Sequence, residues 1–526
     1  MENNKKSTHW ADITAEKIIA IKGDKESYTC ASGITPSGTV HIGNFREIIS
    51  TYLVVQALRE KGKKVRFIYS WDDYDVFRKV PKNMNNPSLL EQYLRCPITM
   101  VPDTSLSHEE SYARKNETDV EKILPNVGIS PEYIYQAKRY RSSYYADDIK
   151  KALEKKEEIK AVLNEYRTTP LSDDWWPISV FSSFTNKDDT TVLSWDGEYG
   201  ITYKDNITGQ TETVDLRTAK GVKLSWRVDW PMRWVKESVD FEPAGKDHHS
   251  EGGSFDTSKK IVKIFGGEAP VSFQYDFISI KGRGGKISSS SGEVISLDDV
   301  LEIYTPEVCR YMFASTRVNA EFSISFDTDV FKIYEDYDNT ERVYFGITQA
   351  NEKKKEKESR IYELSQVNEI PACISYQIPF RHLTNLLLIN SLDVEKTIAS
   401  LNDVNSSQTD RLRKKAICAK NWIEKYADDE FKWSLSTPSS PLPELAEIEK
   451  AAIRDVCLIC KNELETKDEK EISTMIYDIA SKYSLEPSAL FRCVYLTLIN
   501  REKGPRLAGF LKSIGKEKTV EILSRV

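Results

Sequence analysis

Apolar positions run at two different periods along the first ninety residues. The stretch Tyr28-Thr-Cys-Ala-Ser32 is short and nearly continuous, as a strand buried on both faces requires, and it ends at Gly33. Ile48, Ile49, Tyr52, Leu53 and Val55 then recur at helical spacing until Gly62 stops them. A second apolar strand, Val65-Arg-Phe-Ile-Tyr69, follows. Strand, helix and strand in this order predict an α/β, Rossmann-like, doubly wound parallel sheet with ligands at the carboxyl ends of its strands. From about residue 96 the pattern changes. Helical stretches around 108–123 and 130–166 precede a β-rich stretch with Gly and Asp turns from 178 to 226. The nucleotide fold is therefore read as 1–95 and 236–335, split by an inserted α/β connective domain at 96–235. Trp175, Trp176, Trp195, Trp226, Trp230 and Trp234 are read as that insertion's core. Helical patterns dominate afterwards and predict an all-α domain over 336–526. Within it, the run Glu352-Lys-Lys-Lys-Glu-Lys-Glu-Ser-Arg360 has no apolar face and reads as a solvated helix edge or linker.

Composition narrows the class. A chain of 526 residues exceeds one hydrophobic core, and 40% hydrophobic with 29% charged residues is a globular balance. Apolar runs stay below membrane-spanning length and the first residues lack a signal peptide's apolar core, so a cytoplasmic protein without a membrane partner is expected. A net charge of −7 means that any RNA-binding surface is a local patch. The eight cysteines are scattered, as in a reduced compartment. Cys457 and Cys460 form a C-x-x-C within an apolar helical pattern, which reads as packing.

Two segments carry candidate chemistry. Thr35-Pro-Ser-Gly-Thr-Val-His-Ile-Gly-Asn44 opens the first predicted helix, with His41 and Asn44 three apart on one face of its first turn. Backbone N–H groups at such a start favour an anion, and Gly43 allows a phosphate close approach. Far downstream, Lys281-Gly-Arg-Gly-Gly-Lys-Ile-Ser-Ser-Ser-Ser-Gly292 joins three basic side chains to glycines and hydroxyls. Gly245-Lys-Asp-His-His249 reads as a further strand-to-helix turn, in which Gly245 admits an adenosine and Asp247 accepts from ribose hydroxyls.

The pair resembles the HIGH and KMSKS motifs of class I aminoacyl-tRNA synthetases. Ser70-Trp-Asp-Asp-Tyr-Asp-Val-Phe-Arg-Lys-Val-Pro81, Trp226-Arg-Val-Asp-Trp230, Gly245-Lys-Asp-His-His249 and Lys503-Gly-Pro-Arg-Leu507 resemble the family's lysyl enzymes, relatives of the glutamyl ones. The resemblance implies ATP-dependent activation of L-lysine, with Mg2+ accompanying ATP, and transfer to the 3′ end of tRNA(Lys). It implies His41, Asn44 and Lys286 as catalytic residues. ATP contacts are implied at Pro36, Ser37, Gly38, Gly43, Gly245, Asp247, Ile287, Ser288, Ser289 and Ser290. A lysine pocket is implied at Gly33, Thr35, Asp73, Trp226, His248 and Tyr275, with Asp72 or Asp73 taking the α-amino group and the aromatic faces attracting a cation. The sequence departs from the family at Ser289, where KMSKS has its second lysine, and Lys281 or Arg283 is expected to replace that charge in part. Residues 180–225 lack the cysteines of the zinc knuckle found in many relatives, so structural zinc is not expected. His248 and His249, at neighbouring positions, are not read as a metal pair. The insertion is implied to meet the acceptor stem and the helical domain the anticodon, with Lys503, Arg506, Lys512, Lys516 and Lys518 facing phosphates and Tyr483 or Trp433 stacking on bases. Spacing alone does not choose lysine over glutamate. A non-catalytic RNA-binding paralogue also stays open, because the loop's second lysine is missing.

Overall fold

The computed structural model describes residues 8–81, 84–281, 294–401, 404–405 and 408–526. Strand β1 (Ser27–Ile34) pairs in parallel with β2 (Lys64–Trp71), from Ser27 opposite Lys64 to Ile34 opposite Trp71. Between them lies helix α2 (Ile42–Glu60), preceded in the chain by α1 (Trp10–Lys22). On the far side of β2 comes β3 (Glu132–Tyr135), also parallel. On the other side of β1 the sheet continues through Ala31 N to Phe241 O at 2.8 Å and Asp240 N to Thr29 O at 2.9 Å. It then passes through Val271 N to Asp240 O at 2.8 Å and the parallel pair of Ala244–Gly245 with Gln274–Tyr275. The order is β3, β2, β1, 240–245, 271–275, all parallel. The strand order reverses beside β1, where a doubly wound sheet opens its ligand crevice.

Two expectations are corrected. The insertion does not begin at 96, because β3 at 132–135 belongs to the parallel sheet; its few apolar residues sit ahead of a long helical pattern and were absorbed into it. Nor do the tryptophans form one core. In the helix Trp226–Lys236, residues 226, 230 and 234 share one face. Trp230 and Trp234 bury against Ala31, Ile68, Ile134 and Phe255 of the sheet layer. The inserted β-sheet instead packs around Tyr140, Tyr145, Phe181, Tyr203 and Leu224, with Trp175, Trp176 and Trp195 at its edge.

The chain divides into two compact units. One comprises Met1–Val300, Pro306–Ile324 and Gly346–Ile370. The helix Glu352–Ser365 thus belongs to the sheet-bearing unit rather than to a linker. Its charged first turns are exposed, but its last turn buries Ile361, Tyr362 and Leu364, and Arg360 forks Asp12 at 2.7 and 2.8 Å. The apolar anchor follows the charged run, so the run alone concealed it. The other unit, Leu301–Thr305, Ser325–Phe345 and Pro371–Val526, is helical among the described residues. Its core includes Leu383, Leu387, Trp422, Ile453, Ile472, Leu490 and Leu511. Cys457 and Cys460 are both buried in the helix Glu447–Asn462. Trp433 is buried edge-on against Phe510 at 5.1 Å, which removes it from any stacking role. Among the described residues no helix is long and apolar enough to cross a membrane.

Candidate active site

At the carboxyl ends of β1 and β2, at the reversal of strand order, lies a cavity of about 520 Å³. The loop leaving β1 forms one wall. Helix Tyr112–Ile123 holds it: Asn116 Nδ2 donates to Pro36 O at 3.1 Å and Tyr112 OH to Ser37 O at 3.0 Å. Gly33, Thr35, Ser37 and Gly38 line the cavity, whereas Pro36 is buried behind them. The start of α2 supplies His41, Gly43 and Asn44. His41 is the N-cap, and Asn44 Oδ1 accepts from its backbone N–H at 3.2 Å, leaving the amide NH2 group as a donor. Gly43 serves the histidine itself, since a Cβ there would lie 2.8 Å from His41 Nδ1. The helix start offers fewer free N–H groups than expected: that of Ile42 donates to Ile295 O at 2.8 Å and that of Asn44 to His41 O at 2.9 Å. The grip therefore relies on side chains more than on the main chain.

The bond from Ile42 has a second meaning. With the antiparallel bridge between His41 and Ser296, it brings the chain that follows the basic Gly/Ser loop against the start of α2. On the loop's other side, Ile278–Ile280 pairs with Phe322–Ile324. Arg283, Lys286, Ile287, Ser288, Ser289 and Ser290 lie outside the described residues.

The opposite wall is aromatic. Tyr275 ends its strand beside Gly245, where a methyl group in place of the hydrogen would touch the Tyr275 ring at 3.5 Å. Trp226 stacks on Trp230 at 5.2 Å, and Trp230 meets the His248 ring edge at 5.7 Å. Asp247 and His248 line the cavity with them. The two adjacent histidines diverge: His248 Nδ1 lies 2.5 Å from Ser254 Oγ and His249 Nε2 lies 3.2 Å from Ser272 Oγ.

Of the predicted amino-acid contacts, Asp73 is the one placed away from the cavity. Successive residues past a strand end face opposite ways. Asp73 points inward, accepts from Ala137 N at 2.7 Å, and is pushed by burial up to about 7. Asp72 faces the cavity instead, paired with Arg233 at 2.6 Å. Sequence reasoning missed Glu47, one turn beyond Asn44. Its carboxylate accepts from Ser32 Oγ at 2.8 Å, Gly33 N at 3.2 Å and Tyr275 OH at 2.5 Å. Burial raises its pKa, against those three hydrogen bonds. Its neighbours at helical spacing, Gly43, Asn44, Ser50 and Thr51, are small or polar, so periodicity gave no signal that it is buried. Behind this wall, Glu242 accepts from Trp230 Nε1 at 3.1 Å and Trp234 Nε1 at 2.6 Å, and burial pushes it up to about 7.

Glu47, Asp72, Asp75, Asp247 and Asp276 line the cavity, and among the described residues no Lys or Arg does. Asp72 is paired with Arg233, and Asp75 with Lys223 at 2.8 Å. Glu47 has neutral donors as its hydrogen-bond partners. The floor between these carboxylates is tight: a Cβ on Gly33 would sit 2.7 Å from Ser70 O, a backbone atom of the adjacent strand. Gly33→Ala is expected to destabilise the protein by about 1–3 kcal/mol, read as a lowered thermal midpoint. An unchanged midpoint would show that the two strands separate freely there.

A parallel sheet opens beside β1, HIGN stands at the following helix start, and Ile295 and Ser296 lie against that start. The family profile described as tRNA synthetases class I (K) matches residues 8–368, and the chain belongs to that family. It is 56% identical over 520 residues to the lysine--tRNA ligase of Borreliella burgdorferi, covering 99% of each chain. It is 53% identical over 526 residues to that of Treponema pallidum, again covering 99% of each. To that of Thermococcus kodakarensis it is 41% identical over 528 residues, covering 98% of this chain and 99% of the relative.

Proposed function

We propose that this protein is a lysine–tRNA ligase that forms lysyl-adenylate from L-lysine and ATP and transfers the lysyl group to the 3′ end of tRNA(Lys). The observation that carries lysine over glutamate is the cavity wall itself, with five carboxylates and, among the described residues, no lysine or arginine. A glutamate side chain would meet like charge there, whereas lysine brings two ammonium groups. Glu47, buried with neutral partners, suits the side-chain ammonium, and Tyr275, Trp226 and His248 suit its methylenes and charge. Asp72, Asp75 and Thr35 remain for the α-amino end; Thr35 Oγ1 donates to Asp75 Oδ2 at 2.9 Å.

No enzyme nucleophile is required. A lysine carboxylate oxygen attacks the α-phosphorus, the bond to the bridging oxygen breaks, and pyrophosphate leaves. The ribose hydroxyl at the tRNA end then attacks the lysyl carbonyl and AMP departs. His41 and Asn44 hold phosphate oxygens, Gly245 and Asp247 face the nucleoside, and Lys286 with Lys281 or Arg283 supplies positive charge toward pyrophosphate. Mg2+ accompanying ATP would offset the charge that develops on the leaving pyrophosphate. The insertion is assigned to the acceptor stem and the helical unit to the anticodon, where Lys503 and Arg506 are available for phosphates.

Pyrophosphate exchange, measured with and without tRNA(Lys), tests this reading. Lysine should support it and glutamate should not. Exchange with glutamate, or none with either amino acid, would overturn the proposal in favour of a glutamyl enzyme or a non-catalytic RNA binder respectively.

A further inference from the structure

Consecutive residues on a helix point about 100° apart, so Glu47 and Arg46 of α2 cannot face the same way. Glu47 enters the cavity and meets Tyr275. Arg46 turns to the back, where it is 2% exposed. Its Nη2 donates to three carbonyls of one turn: Arg317 O at 3.0 Å, Val318 O at 2.7 Å and Ala320 O at 2.9 Å. Its guanidinium lies over the Phe322 ring at 5.1 Å. The same turn holds the other wall, because Asp276 N donates to Val318 O at 3.0 Å. Phe322–Ile324, which follows the turn, pairs with Ile278–Ile280.

Two neighbouring residues of α2 thus reach two neighbouring residues of the facing wall by different routes. Glu47 reaches Tyr275 directly across the cavity, and Arg46 reaches Asp276 around the back. Among the described residues Arg46 has no carboxylate within ion-pair distance, so its Nη2 holds the turn through carbonyls rather than as half of a salt bridge, and its buried Nη1 has no hydrogen-bond partner among those residues. Burial lowers its pKa to about 10, which still leaves it charged at neutral pH. A buried guanidinium held this way adds little net stability, yet it fixes geometry strongly.

We propose that Arg46 is a positioning residue for amino-acid activation: it sets the separation between the α2 wall and the Tyr275–Ile278 wall, and so the geometry of the Tyr275–Glu47 pair. This rests on the functional reading above.

The test is a double-mutant cycle on kcat/KM for lysine in pyrophosphate exchange, with Arg46→Met and Tyr275→Phe made singly and together. Arg46→Met alone should lower kcat/KM by roughly tenfold or more. In the Tyr275→Phe background the same change should lower it by less than about threefold, because the contact it tunes is already gone. Arg46→Lys, which keeps a charged donor for the carbonyls but loses the guanidinium's seat on Phe322, should recover part of the loss seen in Arg46→Met. Equal losses in both backgrounds, or a lowered thermal midpoint with unchanged kcat/KM, would overturn the proposal. Should Arg46→Met fail to fold, Phe322→Leu loosens the guanidinium's seat and must show the same non-additivity at smaller amplitude. A wild-type chain without lysine-dependent exchange sinks the functional reading instead. The cycle run on thermal unfolding then decides the wall coupling by itself, and additive midpoint losses would reject it.

Discussion

Glu47→Gln is expected to lower kcat/KM for lysine by two orders of magnitude or more while leaving the fold intact. Glutamine keeps the acceptor for Ser32 Oγ and Gly33 N and has nearly the same volume, so the wall is not rebuilt. The negative charge is lost, and removing one partner of a desolvated charge pair costs about 2–5 kcal/mol. Norleucine, which lacks the side-chain ammonium, provides the control. Wild type should favour lysine over it strongly because only lysine brings an ammonium to Glu47, and Glu47→Gln should lose most of that preference. Equal losses for lysine and norleucine would move Glu47 to the α-amino group.

The same carboxyl predicts a pH dependence. Burial raises the Glu47 pKa in the empty protein. Its contribution to stability is therefore present at low pH and lost as pH rises through the raised value. Lysine reverses this by pairing with the ionised form and lowering the pKa. Lysine binding should accordingly release a proton when pH lies between the bound and free values, and the thermal shift caused by lysine should grow with pH across that window. Calorimetry in buffers of different ionisation enthalpy measures the release. A thermal shift that does not change with pH in wild type, or one that still grows in Glu47→Gln, would remove Glu47 from the charge pairing.

Much of this site was legible because its chemistry is local. Periodicity places β1, α2 and β2, and the HIGN helix start needs only residues within one turn, so His41, Gly43 and Asn44 fall where spacing put them. Gly245, His248, Tyr275 and Trp226 also line the cavity, but they meet from distant parts of the chain, and only the family resemblance joined them beforehand. What escaped depends on direction rather than spacing. Asp72 and Asp73 are indistinguishable as letters; the register of β2 against β1 and β3 decides which one enters the cavity. Glu47 and Arg46 likewise look like surface charges of an amphipathic helix until both faces of α2 prove to be covered. Strand β3 is four residues long, too short for alternation to stand out before the helices that follow.

Asn44→Asp separates the fold of the phosphate grip from its chemistry. The aspartate keeps an oxygen to accept from the His41 backbone N–H, so the start of α2 stays capped. A carboxylate in the first turn of a helix is favoured by about 0.3–1 kcal/mol, and the thermal midpoint should therefore hold or rise. Catalysis should move the opposite way. The amide's NH2 donor is gone, and a negative charge now faces the triphosphate from inside the cavity. Loss of one donor to the transferring group typically lowers kcat by about 10²–10³, and like-charge repulsion adds to that. Pyrophosphate exchange should fall at least that far, with lysine affinity by calorimetry in the absence of ATP nearly unchanged. Asn44→Ala should show the converse: a lower midpoint from the lost cap and a smaller loss of exchange than Asn44→Asp. An Asn44→Asp variant that exchanges at the wild-type rate would mean that the triphosphate does not lie against the start of α2.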